Sequence, residues 1–275
     1  MTENITSPHN PRIKQTAKLR ERDQRDERGL LLIEHLRELR QAIDGGIEIV
    51  ELYLDERYES IAELFADQQL PPLDESLRLH LDSVTVVAGR AAMEKLSYGD
   101  RISPVVAVAK QWTCELNNIT PLDRSLVLVI DSVEKPGNLG AMVRTADAVG
   151  VTGVILSDPV CDVWNSNAIR ASQGAIFRVP IAVATAVETQ AWLENHQFQI
   201  ATARVEASVS YTKFNWASRV AIVLGSEAGG LGARWQESTL HGIHVPMRGS
   251  VDSLNVSVTA AILMYDAQDR MTLPS

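Results

Sequence analysis

The chain has 275 residues, of which 45% are hydrophobic and 22% are charged, a balance that suits a soluble globular protein with one large domain or two small ones. No apolar run reaches the length of a membrane span, and the first residues lack the pattern of a secretory signal. Cys114 and Cys161 lie far apart and match neither a disulfide framework nor a metal-ligand spacing. We therefore expect no membrane association and a reducing, cytoplasmic location.

The formal net charge is -9, which taken alone argues against nucleic-acid binding, because phosphate contacts require lysine and arginine. The charge is uneven, however, since basic residues interleaved with acidic ones crowd the N-terminus. The basic ones are Arg12, Lys14, Lys18, Arg20, Arg22, Arg25 and Arg28. Such a run is either a solvated helix with ion pairs one turn apart or a local basic arm for RNA, and this segment alone favours the helix.

The first 110 residues show the patterns of a small α/β unit. Strands are predicted at 47–54, 84–87 and 105–109, and a helix at 61–69, where two prolines end it. Residues 111–124 lack periodicity and contain Asn117, Asn118 and Pro121, so we predict a linker there. The first domain is therefore assigned to residues 1–110.

Strands alternate with helices over residues 125–275, which predicts a parallel sheet. The first strand, 126–130, is unbroken apolar sequence, as a strand buried on both faces requires. Further strands are predicted at 153–156, 198–203, 220–224 and 242–245, and helices at 139–149, 167–173, 188–195 and 254–271. The second domain is therefore expected to be of the α/β class.

Three short segments of the second domain put small and polar residues where a core would require bulk. They are 138–144 (NLGAMVR), 224–230 (LGSEAGG) and 253–257 (SLNVS). Each lies where a strand ends or a helix begins, and ligands bind at the carboxyl edge of open parallel sheets. The segments contain neither a dinucleotide fingerprint nor a phosphate-binding P-loop.

Each segment also has an ordinary structural interpretation. Arg144 is predicted in the second turn of a helix that Asn138 precedes, where a lone arginine often forms an ion pair. Glu227 suits the first turn of a helix, because its charge complements the helix dipole. Ser253 is a good N-cap candidate for the last helix, which would put Asn255 inside the first turn.

Taken together, these segments resemble the TrmH/SpoU-type RNA ribose 2′-O-methyltransferases of the SPOUT superfamily, over roughly residues 126–270. Three N-terminal segments, 10–14 (NPRIK), 32–34 (LIE) and 96–100 (LSYGD), resemble the substrate-binding domain that often precedes the catalytic domain in this family. The family often has glycine after the position of Glu34, where this chain has His35. The resemblance implies a SPOUT-type α/β knot (a deep trefoil) with a parallel sheet over residues 125–275, preceded by a ribosomal-protein-like α/β domain that binds RNA.

The resemblance also implies a site and its ligands. The cofactor would be S-adenosylmethionine, with no metal, and family members work as homodimers. The implied cofactor-binding residues are Leu224, Gly225, Val245, Met247 and Leu254. The implied catalytic residues are Asn138, Arg144, Glu227, Ser253 and Asn255.

The function implied is transfer of a methyl group from S-adenosylmethionine to a ribose 2′-hydroxyl of RNA, with large-subunit rRNA favoured over tRNA. A non-catalytic RNA-binding protein of the same fold is the alternative. Because a guanidinium is effectively always protonated, Arg144 is expected to stabilise the developing alkoxide rather than act as a base. Water or Glu227 would then take the proton. Arg170 and Arg178 either contact phosphate or form surface ion pairs.

Overall fold

The structure, a computed structural model, describes residues 3–98, 101–207, 209–227, 229–237 and 240–271. The chain divides into two compact units. The first contains Met1–Trp112 and Trp164–Phe177, and the second contains Thr113–Val163 and Arg178–Ser275. A segment inside the expected second domain thus belongs to the first unit. Its aromatic ends explain this, because the ring centroid of Trp112 lies 6.1 Å from that of Trp164 and 5.6 Å from that of Phe177.

The first unit is built around a five-stranded mixed sheet. Its elements up to residue 112 are β1 (Asn4–Ile5), α1 (Pro11–Ala17), α2 (Arg22–Arg28), β2 (Leu30–Ile33), α3 (Leu36–Asp44), β3 (Ile49–Asp55), α4 (Ile61–Asp67), α5 (Glu75–Val84), β4 (Thr85–Ala88), α6 (Arg90–Leu96) and β5 (Val105–Lys110). The strand order is β1-β4-β3-β5-β2, with β5 antiparallel to both of its neighbours. The predicted strands and the predicted α4 are present, and the basic run that favoured a helix contains α1 and α2, whereas α3, α5 and α6 were not predicted.

The basic N-terminal run is only partly solvated. Arg22 forms the expected ion pair with Asp26 one turn away, at 3.5 Å. Arg25, by contrast, is 1% exposed and donates from Nη1 to the carbonyl oxygens of Leu19 at 2.9 Å and Arg20 at 2.6 Å. The prediction of a solvated helix is therefore wrong for Arg25, which holds the turn between α1 and α2 from inside.

The second unit contains a seven-stranded sheet in which all six neighbouring strand pairs among the described residues are parallel. Its strands are β6 (Ser125–Asp131), β7 (Gly153–Ser157), β8 (Ile181–Ala184), β9 (Gln199–Ala203), β10 (Val209–Ser210), β11 (Arg219–Leu224) and β12 (His241–His244), in the order β10-β12-β9-β11-β6-β7-β8. Its helices are α7 (Pro136–Val149), α9 (Ala186–Asn195) and α10 (Val256–Arg270), while α8 (Ser166–Ala171) belongs to the first unit. The predicted α/β class and parallel sheet are confirmed; the knot stays a prediction.

Two helices of the second unit begin at positions that differ from the prediction. Helix α7 begins at Pro136, because proline is favoured at the first helical position. Asn138 therefore lies in its first turn and Arg144 in its third. Helix α10 is capped by Asn255, whose Oδ1 accepts a hydrogen bond from the backbone N–H of Ser257 at 2.9 Å, so Ser253 is not the N-cap. No helix in the described ranges combines the length and apolarity of a membrane span.

Replacing Arg25 by alanine should destabilise the protein by roughly 2–4 kcal/mol, because it leaves a cavity and two carbonyl groups without their donor. The matched substitution Arg22→Ala removes an exposed guanidinium and its ion pair with Asp26, and it should cost about 0.5 kcal/mol or less. Chemical denaturation of both variants measures the difference. Equal stability of the two variants would show that Arg25 has no structural role.

Candidate active site

A cavity of about 360 Å³ opens at the carboxyl ends of three neighbouring strands, β9, β11 and β12. Its volume lies in the range of small-molecule sites. Its wall includes all five residues predicted to bind a cofactor, Leu224, Gly225, Val245, Met247 and Leu254, together with Glu227, Ser253 and Asn255. The second and third sequence segments therefore form one cavity.

Gly225 is required by the packing of the cavity wall itself. A Cβ atom there would lie 2.1 Å from the carbonyl carbon and oxygen of Gly230. Ser226 and Gly230 also exchange two backbone hydrogen bonds, at 2.9 and 3.0 Å. The group that approaches Gly225 closely is thus another part of its own loop, which this contact closes tightly.

Glu227 is the centre of a group that joins three predicted site residues. Its Oε1 accepts hydrogen bonds from Nδ2 of Asn138 at 2.7 Å and from Nδ2 of Asn255 at 2.9 Å. The amide of Asn255 also donates to Oδ1 of Asn138 at 3.3 Å. On its other side, Oε2 forms an ion pair with Nζ of Lys135. The first turn of α7 and the cap of α10 therefore meet at one carboxylate.

This arrangement makes Glu227 a weaker base than a free carboxylate. The hydrogen bond from Lys135, and after it that from Asn138, holds the pKa of the Glu227 carboxyl below its ordinary value. The same bond to Glu227 raises the pKa of the Lys135 ammonium. Both groups are therefore charged at neutral pH, and a proton acceptor at this point would have to give up an ion pair.

Lys135 is a site residue that the sequence analysis missed. It precedes the first residue of α7, at the positive end of the helix dipole, where a cation is unfavourable. A lysine in this position is a signal that a carboxylate partner lies nearby, although the sequence does not say which one.

The two remaining predicted catalytic residues lie outside this group. Ser253 lines the cavity, but it forms no hydrogen bond with any described residue. Arg144 is exposed and lines no described cavity, and its side chain forms neither a hydrogen bond nor an ion pair within the described ranges. It follows Asn138 by six residues, or about 9 Å along the helix axis. The predicted set is thus only partly assembled in one chain.

A buried carboxylate fixes the loop from the side opposite Glu227. Asp131, the last residue of β6, is 2% exposed. Its Oδ1 accepts hydrogen bonds from Oγ of Ser157 at 2.8 Å and Nε1 of Trp235 at 3.0 Å, and its Oδ2 accepts one from the backbone N–H of Gly232 at 2.9 Å. Asp131 therefore anchors the far end of the loop that begins at Gly225.

Among the residues that the structure describes, no three His, Cys, Asp or Glu side chains are grouped closely enough to hold a metal ion. His241 and His244, spaced three apart on β12, are not part of such a group.

Two family models match adjacent parts of this chain. The model of the SpoU rRNA Methylase family matches residues 125–265, and that of the MRM3-like substrate binding domain matches residues 10–107. The cavity and the group around Glu227 lie within the first match.

Similar proteins extend over most of the chain. The 23S rRNA (guanosine-2′-O-)-methyltransferase RlmB of Escherichia coli strain K12 is 31% identical over 81% of this chain and 96% of its own length. The 23S rRNA (guanosine(2553)-2′-O)-methyltransferase RlmP of Bacillus subtilis strain 168 is 35% identical, but the match covers 50% of this chain and 56% of that protein. The crystal structure of an AdoMet-bound rRNA methyltransferase from Sinorhizobium meliloti is 26% identical, with a TM-score of 0.85 over 98% of both chains.

Lys135→Met should raise the pKa of Glu227 toward its ordinary value, because it removes the first of the two hydrogen bonds that lower it. Lys135→Arg should keep the pKa low. Carboxyl-detected NMR titration measures both. Since a lowered carboxyl pKa stabilises the folded state only at higher pH, the stability difference between wild type and Lys135→Met should vanish as the pH falls through the wild-type pKa. An unchanged Glu227 titration in the methionine variant would contradict the ion pair.

Proposed function

This chain belongs to the SpoU rRNA Methylase family, and on that premise we propose that it transfers a methyl group from S-adenosylmethionine to a ribose 2′-hydroxyl of RNA. The substrate proposed is large-subunit ribosomal RNA, the class named in RlmB and RlmP. One observation carries the proposal: a cavity of cofactor size shares Glu227 and Asn255 with the hydrogen-bonded group that includes Asn138.

The cavity fits the proposed cofactor in size and in charge. Its volume of about 360 Å³ is typical of a site for one small molecule. Its described lining includes one carboxylate, Glu227, and one arginine, Arg204, so groups of both charges border it, and S-adenosylmethionine itself carries an ammonium, a carboxylate and a sulfonium. When bound, S-adenosylmethionine would supply a methyl group on a positively charged sulfur: the ribose oxygen would bond to the methyl carbon as the carbon–sulfur bond breaks, and S-adenosylhomocysteine would leave.

The side chains around Glu227 are proposed to orient the ribose. The amides of Asn138 and Asn255 are fixed at the beginnings of two long helices, so they offer polar groups whose positions are set before the substrate arrives. Arg144 would stabilise the negative charge that develops on the ribose oxygen. Because Glu227 already accepts three hydrogen bonds and its pKa is lowered, we assign the departing proton to water rather than to Glu227.

A homodimer completes the proposal. Helix α10 carries four apolar residues, spaced i, i+3, i+4 and i+7, that are exposed or half-buried in one chain: Val258, Ala261, Ile262 and Tyr265. An apolar stripe of this kind on a helix is typical of a surface that another protein covers. Covering it with a second copy would also bring exposed Arg144 of the neighbouring helix α7 near an interface.

The first unit is proposed to bind the RNA. The MRM3-like substrate binding domain matches nearly all of its first 112 residues. Glu34, which lies in one of the three N-terminal segments that resemble the family's substrate-binding domain, faces inward: its side chain is 4% exposed and accepts a hydrogen bond from Nε of Arg20 at 3.0 Å. Other residues of this unit must therefore contact the RNA. For a protein that acts on this substrate, the proposed location is the cytoplasm.

Methyl transfer from radiolabelled S-adenosylmethionine to in vitro transcribed 23S rRNA tests the proposal. The digested product should contain a 2′-O-methylnucleoside, and tRNA should be methylated far less. Arg144→Lys should lower the turnover rate by about tenfold or more at saturating substrates, because an ammonium cannot replace the forked guanidinium. Arg234→Lys, an exposed arginine of the same unit, is the control.

Calorimetry with S-adenosylhomocysteine separates the alternatives. If Arg144→Lys binds S-adenosylhomocysteine as tightly as wild type does, its lower turnover rate is due to the chemical step. A wild-type rate in this variant would refute the role of Arg144, and no binding at millimolar ligand would favour a non-catalytic RNA-binding protein.

Tyr265→Asp should weaken the dimer by roughly 30-fold or more, because it buries a charge in the apolar stripe. Val187→Asp, an exposed valine on α9, should leave it unchanged. Sedimentation equilibrium measures both. A monomeric wild type, or a Tyr265→Asp protein that dimerises normally, would rule out this interface.

A further inference from the structure

Tyr98 is a large side chain that the first unit leaves exposed. It follows the C-cap of α6, and 47% of its surface is accessible. The guanidinium carbon of Arg170 lies 4.4 Å from the centroid of its ring, which is a cation–π distance. Arg170 covers one face, so the exposed fraction leaves ring or guanidinium surface available to another planar group.

Arg170 is held in place by its own helix and by the packing beyond it. Its Nη2 donates to Oδ1 of Asn167 at 2.6 Å. Helix α8 then ends in a turn at Gly174, where φ is +84° and a Cβ atom would lie 2.6 Å from Cβ of Gln41. Only glycine fits so close to α3 in this conformation. The guanidinium and the ring are therefore positioned in advance, which lowers the entropic cost of binding.

Basic residues lie on both sides of Tyr98 in the chain, each next to an acidic one, Glu94 or Asp100. Exposed Lys95 and Arg101 lie three residues before and after it in the chain. Within the described part of the protein, Arg170 forms no salt bridge, and the acidic group that interacts with it electrostatically, Glu38, is buried.

Tyr58 shows that an arginine beside a tyrosine is not enough. The guanidinium carbon of Arg57 lies 5.9 Å from the Tyr58 ring centroid. Arg57, however, is paired with Asp55 at 2.9 Å, and the Tyr58 hydroxyl donates to Asp67 at 2.9 Å. These carboxylates repel phosphate, so Tyr58 is a natural matched control from the same unit.

We propose that Tyr98 and Arg170 form a platform on which the first unit stacks an unpaired nucleobase of the RNA substrate. Aromatic rings and guanidinium planes are the groups that proteins use to stack unpaired bases, and every base offers a face for it. The inference rests on the proposed function, because it specifies how that RNA is held.

The test measures RNA binding and base stacking with the full chain. Binding of in vitro transcribed 23S rRNA is compared at one salt concentration for wild type, Tyr98→Ala, Tyr98→Leu, Tyr98→Phe and Tyr58→Ala. The alanine and leucine variants should raise Kd by about tenfold or more, since the loss of one stacked base costs a factor of roughly 5 to 150. Tyr98→Phe and Tyr58→Ala should bind as wild type does.

A single-stranded oligoribonucleotide carrying 2-aminopurine reports stacking directly, because stacking quenches its fluorescence. Wild type and Tyr98→Phe should quench it, while Tyr98→Leu, which keeps apolar bulk without a ring, should not. Kd values within twofold of wild type for both Tyr98→Ala and Tyr98→Leu would overturn the platform, even if the wild type methylates rRNA. Ring-dependent quenching by a protein that transfers no methyl group would instead support the platform and refute the proposed function.

Discussion

The geometry of the cavity depends on the buried carboxylate of Asp131. It ends strand β6, which lies between β11 and β7 in the sheet, and accepts hydrogen bonds from β7, from Gly232 and from the indole of Trp235. A buried carboxylate is tolerated only when such donors compensate its desolvation. The loop from Gly225 to Gly232 is therefore fixed at one end by the strand β11 that it follows and at the other by Asp131, which sets where Glu227 can reach.

From this fixed loop, Glu227 connects the beginnings of α7 and α10. A negative charge is favourable at both places, because the N-terminal ends of helices are electropositive. The same carboxylate also compensates Lys135, which would otherwise be poorly placed at such an end. One side chain thus aligns two helices, orders two asparagine amides and borders the cavity, and this explains why the loop must be anchored so firmly.

The sequence predicts those parts of the fold that local patterns determine. The apolar run at 126–130 and the alternation of strands with helices correctly predicted the parallel sheet, and two of the three short segments, 224–230 and 253–257, supply residues of the cavity wall. The N-cap of α10 was misassigned, because Ser253 and Asn255 have similar capping propensity and the fold of the preceding loop decides between them. Lys135 and Asp131 were missed since their partners lie about a hundred residues away, a separation that no local pattern records. Arg25 was misjudged for the same reason: its burial follows from tertiary packing, not from its charged neighbours.

The segment Trp164–Phe177 gives the chain an unusual order of assembly. It leaves the second unit, supplies α8 and two aromatic contacts to the first, and then returns. During synthesis the ribosome must therefore extend the chain past residue 177 before the N-terminal unit has all its parts, by which time β6, α7 and β7 have already emerged. Domains usually fold one after the other as they are made. Here the first unit is complete only after part of the second has been made, and a gene divided at the linker would deprive the first unit of α8.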